Sequence, residues 1–195
     1  MRVFLGITGA SGAPYAARLV ESLAAAECEI GVCASRAGIE VLATELYGNA
    51  RLAPDETMAR FLEHAGGVAT LHDERDWHAP YASGSAKVDG YVICPCSMGT
   101  LGTLASGAMS NLIHRAASVA IKEGRRLVIV PRETPLSTIH LENMLRLRQA
   151  GAVILFAAPG FYAGAESVSD LVDFVVARCL DQLGLDNALV KWWGE

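Results

Sequence analysis

The chain has 195 residues, of which 52% are hydrophobic and 19% charged, with a net charge of −5 at pH 7. That length fits one α/β domain with a full core, and the acidic balance argues against nucleic-acid binding, which calls for a basic patch. No apolar run reaches the roughly 18 residues of a membrane span, and the first residues carry no signal-peptide pattern, so a cytoplasmic protein is expected. A mean hydropathy of +0.30 is high for a soluble monomer and predicts a homo-oligomer that buries apolar surface between subunits.

Residues 2–8 read as a buried strand, followed by the glycine turn Gly9-Ala10-Ser11-Gly12 and a helix over 14–26. A second strand spans 29–34 and ends at Ser35. A helix over 37–46, a turn-rich stretch, a short helix over 56–64 and a strand over 68–71 follow. Residues 73–87 form a loop long enough to suggest function. A strand over 88–94 leads through Pro95-Cys96 to Ser97. Helices over 99–106 and 111–122 are separated by Gly107. The remaining elements are a strand over 126–130, a helix over 139–149, a strand over 152–157 and a last helix over 167–183.

Strands alternating with helices, most strands continuously apolar, predict a three-layer, doubly wound parallel sheet of the Rossmann-like, flavodoxin-like class. One domain over 1–195 is expected, its tail from about 184 packing on a neighbouring subunit. In such sheets ligands bind beyond the carboxyl ends of the strands. That rule gathers Gly9 to Gly12, Ser35, Cys96 to Thr100 and Arg132 to Thr134 at one edge.

The glycine turn offers helix-start amides and the Ser11 hydroxyl to an anion. On the turn alone, a phosphate cradle and a plain strand-to-helix turn are equally good readings. It is not G-x-G-x-x-G, and Ser35 stands where a dinucleotide site needs an acid, so a mononucleotide such as FMN fits better. Ser97-Met98-Gly99-Thr100 opens another helix, as a second anion cradle or as an N-cap. Arg115 and Lys122 share a helix face, and a solvated basic face is the plain reading of them. Arg132-Glu133, between Pro131 and Pro135, offers either a partly desolvated acid/base carboxylate or a structural ion pair. The five cysteines, odd in number, give no disulfide framework, and Cys94-Pro95-Cys96 reads as core thiols. Asp73-Glu74-Arg75-Asp76 reads as a solvated acidic stretch, and no histidine has metal or triad spacing.

The order and spacing of ThrGlyAlaSerGlyAla from Thr8, AlaSerGlySer from Ala82, CysProCysSer from Cys94 and ProArgGluThrPro from Pro131 resemble the UbiX-type flavin prenyltransferases. HisLeuGluAsnMet from His140, AlaProGlyPheTyr from Ala158 and the final TrpGlyGlu extend the match along essentially the whole chain. The resemblance implies a homo-oligomer, a dodecamer, that binds FMN and dimethylallyl phosphate. It implies a metal-independent transferase that joins the prenyl group to N5 and C6 of reduced FMN. The prenylated FMN then serves a UbiD-type decarboxylase.

By position, the resemblance assigns Gly9, Ala10, Ser11, Ser35, Ser97, Met98, Gly99, Thr100, Arg115 and Arg132 to FMN. It places Ser83, Gly84, Lys122, Arg132, Tyr162 and Arg178 around the prenyl phosphate. Glu45 matches a site residue that reaches a neighbouring subunit, Trp77 and Trp193 match aromatic site residues, and Ser11 and Glu133 match a proton-handling pair. The chain departs from the family at His114, where relatives carry Glu, and at Trp192, where one relative has Arg. Flavin-dependent cysteine decarboxylases are a rival, but residues 36–46 lack their histidine and their Pro-x-Met-Asn-x-x-Met-Trp stretch is missing. A non-catalytic FMN carrier is a second rival; it has no use for Lys122, Tyr162 and Arg178 around another ligand.

Overall fold

The computed structural model describes residues 1–190. Six parallel strands form one sheet: β1 (Arg2–Ile7), β2 (Glu29–Ala34), β3 (Ala69–Leu71), β4 (Gly90–Cys96), β5 (Arg126–Pro131) and β6 (Val153–Ile154). Their spatial order is β3-β2-β1-β4-β5-β6, so the winding direction reverses between β1 and β4. Helices α1 (Ala13–Ala25), α2 (Arg36–Tyr47), α3 (Pro54–Glu63) and α7 (Val168–Leu183) contribute to the core on one face, and α4 (Met98–Ser106), α5 (Leu112–Lys122) and α6 (Thr138–Gln149) to the core on the other. This is the three-layer doubly wound sheet expected from the alternating pattern.

Strand alternation sorts the two cores. Val3, Leu5, Ile7, Val128 and Val130 join α1 and α7, while Phe4, Leu127 and Ile129 face α4 to α6. Cys94 joins the first core and Cys96 the second, although two residues on a regular strand share a face. The β4–β5 register breaks between Ile93 and Cys96, and that irregularity turns Cys96 over. It also explains why β4 runs past Pro95. The missing proline N–H falls where the ladder is already interrupted.

All five cysteines are buried. Burial pushes the Cys33 and Cys179 thiols up to about 12 and holds Cys94 and Cys96 well above the ordinary thiol value, so these four sit in the core as neutral thiols.

The loop before β4 also has a packing role. Its 3-10 turn Pro80–Ala82 sets Tyr81 over Gly31 of β2, where a Cβ would collide with the ring. Tyr81 lies 4.9 Å from the Phe4 ring and joins the second core beside α5. β6 is shorter than its apolar run. Leu155 and Ala157 N–H groups still donate to Ile129 and Pro131 carbonyls at 2.9 and 3.0 Å, so the extended chain carries the pairing beyond the strand. After α7, Leu185 and Leu189 fold back against the subunit's own first core, and Asn187 Nδ2 donates to Asp181 at 3.0 Å.

Candidate functional site

The sheet reverses its winding between β1 and β4, and their carboxyl ends are clasped by Thr8. Its hydroxyl donates to the Pro95 carbonyl at 3.0 Å and accepts from the Ser97 N–H at 2.8 Å. Thr8 N–H also donates to Pro95 at 3.1 Å. Nothing local to Thr8 signals this clasp, because a threonine at a strand end is common.

Two glycines let the chain close up here. A Cβ on Gly9 would lie 2.5 Å from Ala37 Cβ, and one on Gly38 would lie 2.5 Å from the Ile7 carbonyl. The start of α2 therefore rests directly on the end of β1. Ser35 caps α2 by accepting from Gly38 N–H at 3.1 Å. Ser97 caps α4 by accepting from Thr100 N–H at 3.3 Å, and its hydroxyl lies 3.2 Å from the Thr100 hydroxyl. Two serine-capped helix N-termini thus open at one edge, with amides and hydroxyls available to an anion. The structure shows the N-cap reading of Ser97, which is compatible with a ligand at the same helix start.

The N-terminus of α1 is different. Gly12 takes the N-cap position with φ 135° and has no side chain to cap with. Gly12 and Ala13 N–H groups instead donate to Glu45 Oε2 at 2.9 and 2.8 Å. The amides that made the turn look like a phosphate cradle already hold a carboxylate of the same chain. The resemblance sends Glu45 toward a neighbouring subunit; here it caps its own α1.

Arg132 follows β5, and its Nε donates to the Ser11 carbonyl at 3.2 Å, which ties the charged knot to the glycine turn. Glu133 does not pair with Arg132 among the described residues. Its Oε1 accepts from Thr134 N–H at 3.0 Å. The ion-pair alternative for Arg132-Glu133 is therefore not seen among the described residues, and the half-buried Glu133 follows Arg132 beyond the end of β5. Gly9, Ala10, Ser11, Ser35, Ser97, Met98, Gly99, Thr100, Arg132 and Glu133 all lie at this one edge.

Arg115, in the first turn of α5, is held farther out. Its Nε donates to the Ala82 carbonyl at 2.9 Å, and its Nη1 lies 3.9 Å from Met109 Sδ. Trp77 lies half-exposed in the long loop. Tyr162 follows β6 and meets Phe174 edge-on, with centroids 5.8 Å apart. One turn along α7, Arg178 pairs with Asp181 at 3.1 Å. Trp193 lies outside the described residues.

Ser83, Gly84 and Lys122 are at the other edge of the sheet. Lys122 ends α5 just before β5 begins, and Arg126 pairs with Gly90 at the start of β4. The Gly84 carbonyl accepts from Arg125 Nη2 at 2.6 Å, and a Cβ there would meet Lys122 Nζ at 2.6 Å and Glu123. Lys122 itself is ion-paired with Glu123. The six-residue β5 separates this cluster from Arg132 by about 20 Å. One chain therefore does not bring the two halves of the expected site together.

The donor set at the switch-point edge fits a phosphate-bearing mononucleotide: two open helix starts, the hydroxyls of Ser11, Ser35, Ser97 and Thr100, and a guanidinium. Comparison with known proteins agrees. The Flavoprotein family model matches residues 1–180. The flavin prenyltransferase UbiX of Pseudomonas aeruginosa is 51% identical over 197 residues, covering 100% of this chain and 94% of that protein. The solved structure of AnUbiX in complex with FMN and dimethylallyl pyrophosphate superposes with a TM-score of 0.87 at 39% identity, covering 100% of this chain and 97% of that one. A dodecameric FMN-dependent UbiX-like decarboxylase from Escherichia coli O157:H7 gives 0.86 at 38% identity and covers both chains fully. This chain belongs to the flavoprotein family and, within it, to the UbiX flavin prenyltransferases.

Proposed function

We propose that the protein transfers a dimethylallyl group from dimethylallyl phosphate to N5 and C6 of reduced FMN. The prenylated FMN it releases serves a UbiD-type decarboxylase in the cytoplasm. Among the described residues no helix is long and apolar enough to cross a membrane. The observation that carries the reading is the Arg132–Ser11 contact. It brings Arg132, next to Glu133 in the chain, against the Ser11 carbonyl at the edge that fits the flavin, which supports Ser11 and Glu133 as the proton-handling pair.

Reduced FMN, when bound, supplies the two nucleophilic positions. Ser35, Ser97, Thr100 and Arg132 hold its anionic and polar groups, with the backbone of Gly9, Ala10, Met98 and Gly99 lining the approach. As the allylic C–O bond breaks, negative charge gathers on the departing phosphate, and Lys122, Arg178, Ser83 and Tyr162 stabilise it. These side chains do the work a metal ion does elsewhere. Aromatic faces, Trp77 and Tyr162 among them, stabilise the allylic cation by about 0.5–2 kcal/mol each. Glu133 would protonate the leaving phosphate as N5 gives up its proton, and Ser11 with Glu133 would carry the C6 proton to the prenyl alkene carbon as the ring closes.

Because Lys122 and Gly84 lie on the edge opposite Arg132, each complete site takes Ser83, Gly84 and Lys122 from a second copy of the chain. The exposed apolar side chains support assembly: Phe161 is 78% exposed, Tyr162 69%, and Ile139, Leu141, Leu145 and Val168 are also open. A dodecamer like that of the structural relative accommodates both facts.

Incubation of the FMN-loaded protein under reducing conditions with dimethylallyl phosphate, followed by mass spectrometry of the extracted flavin, tests the reading. A flavin heavier by one C5 unit is expected. Unchanged FMN identifies a carrier and ends the proposal.

A further inference from the structure

On the helical face away from α1 and α7, the end of α4, the outer side of α5 and the last turns of α6 enclose a groove of about 250 Å³. His114, Ser118 and Lys122 line it at successive four-residue steps along α5, and Arg146 faces them from α6. No carboxylate is among the groove-lining residues, although the chain as a whole carries a net charge of −5. The groove thus gathers hydrogen-bond donors and the Arg146 guanidinium on an acidic protein, beside a Lys122 that is already ion-paired with Glu123.

His114 fixes the character of the site. It is only 6% exposed, and its Nδ1 accepts from the Ser110 N–H at 3.4 Å and lies 3.0 Å from the Ser110 hydroxyl. An Nδ1 that accepts leaves the ring proton on Nε2. Nε2 has no partner among the described residues, and it is not one of the polar atoms sealed from solvent without one. A buried imidazole therefore presents a spare N–H to the groove that it lines. Ser106, at the rim, is already engaged through its donation to the Thr103 carbonyl at 2.8 Å.

We propose that this groove is an accessory oxyanion site that takes inorganic phosphate or the phosphate group of a small monoester. The His114 Nε2–H and the Ser118 hydroxyl supply neutral donors, and Arg146 supplies charge. Together they match a dianion with several acceptor oxygens. The volume admits a phosphate with a short organic tail and excludes a nucleotide. The site lies outside the cofactor edge and shares only Lys122 with the residues assigned to the prenyl phosphate.

Phosphate binding to the FMN-loaded full-length protein, measured by calorimetry, tests this. Saturable binding is expected, weakened about tenfold by Ser118→Ala and again by Arg146→Gln, as the loss of one hydrogen bond to a charged group predicts. Both variants should keep their bound FMN and circular dichroism. Arg178→Ala should leave this binding unchanged. Methyl phosphate, titrated in parallel, distinguishes a site for esters from one for the free ion; sensitivity to Ser118→Ala and Arg146→Gln supports the proposal for either ligand. Absence of saturable phosphate binding overturns it. So does binding that survives both groove variants and disappears in Arg178→Ala, which would assign the ion to the prenyl-phosphate residues.

Discussion

The two edges of the sheet are built differently. At the carboxyl edge, strands β1, β4 and β5 are laced together by Thr8, Ser97 and Arg132, and three helices begin within one turn of the crevice. At the amino edge, the loop carrying Ser83 and Gly84 rests on Lys122, Glu123 and Arg125 at the end of α5. The first edge is a finished pocket wall of amides, hydroxyls and one guanidinium. The second is a cationic ledge whose lysine is held by a neighbouring glutamate. Chemistry that needs both cannot be completed inside one chain. On the proposed reading, the fold fixes half of the site and leaves assembly to supply the rest.

Substitutions at the two edges should therefore fail in different ways. The largest effect is expected for Glu133→Gln, which removes the acid/base group without a change of size. Single-turnover prenylation should slow by about 10²- to 10⁴-fold while FMN stays bound; normal turnover would remove Glu133 from the proton path. Lys122→Ala acts from the opposite edge. It should raise the KM for dimethylallyl phosphate about 10- to 100-fold, the worth of one charge-assisted contact, and leave FMN content untouched. A loss of flavin in Lys122→Ala would place the lysine with the cofactor instead.

Effects on stability should be smaller and confined to the carboxyl edge. Gly9→Val forces side-chain atoms into Ala37 and should cost about 1–3 kcal/mol together with weaker FMN binding, read from denaturant midpoints and flavin fluorescence. Glu45→Gln weakens the cap on α1 and should cost about 0.5–2 kcal/mol, with no loss of flavin if the phosphate sits at α2 and α4. The smallest effect concerns His114, whose pKa burial lowers below the ordinary 6.5. The unfolded chain then binds more protons near pH 6 than the folded one. The stability contributed by neutral His114 is full above the unfolded value and is lost as pH falls through the folded one. The change should be the smallest of these effects, and His114→Gln should flatten it.

Most of the carboxyl edge was legible in the sequence, because strand-end residues of a doubly wound sheet must converge there. The apolar runs, the serine before each of α2 and α4, and the glycine turn each leave a local signature. What stayed hidden were contacts between residues far apart in the chain. Nothing local to Glu45 shows that it caps a helix beginning thirty-odd residues earlier, and nothing near His114 shows that its Nε2 is left spare in a groove. The extent of β4 was misjudged because Pro95 reads as a strand stop unless the register break beneath it is known. The resemblance grouped Lys122 with Arg132, but only the strand register shows that β5 separates them.

Subunit complementation tests the divided site most directly. Arg132→Ala and Lys122→Ala proteins, each impaired alone, are mixed, dissociated and reassembled, and prenylated flavin is measured. A site shared between chains predicts recovered activity, since some sites then draw an intact Arg132 from one subunit and an intact Lys122 from another. Recovery no greater than the sum of the separate variants would contradict the account and return both residues to a single chain.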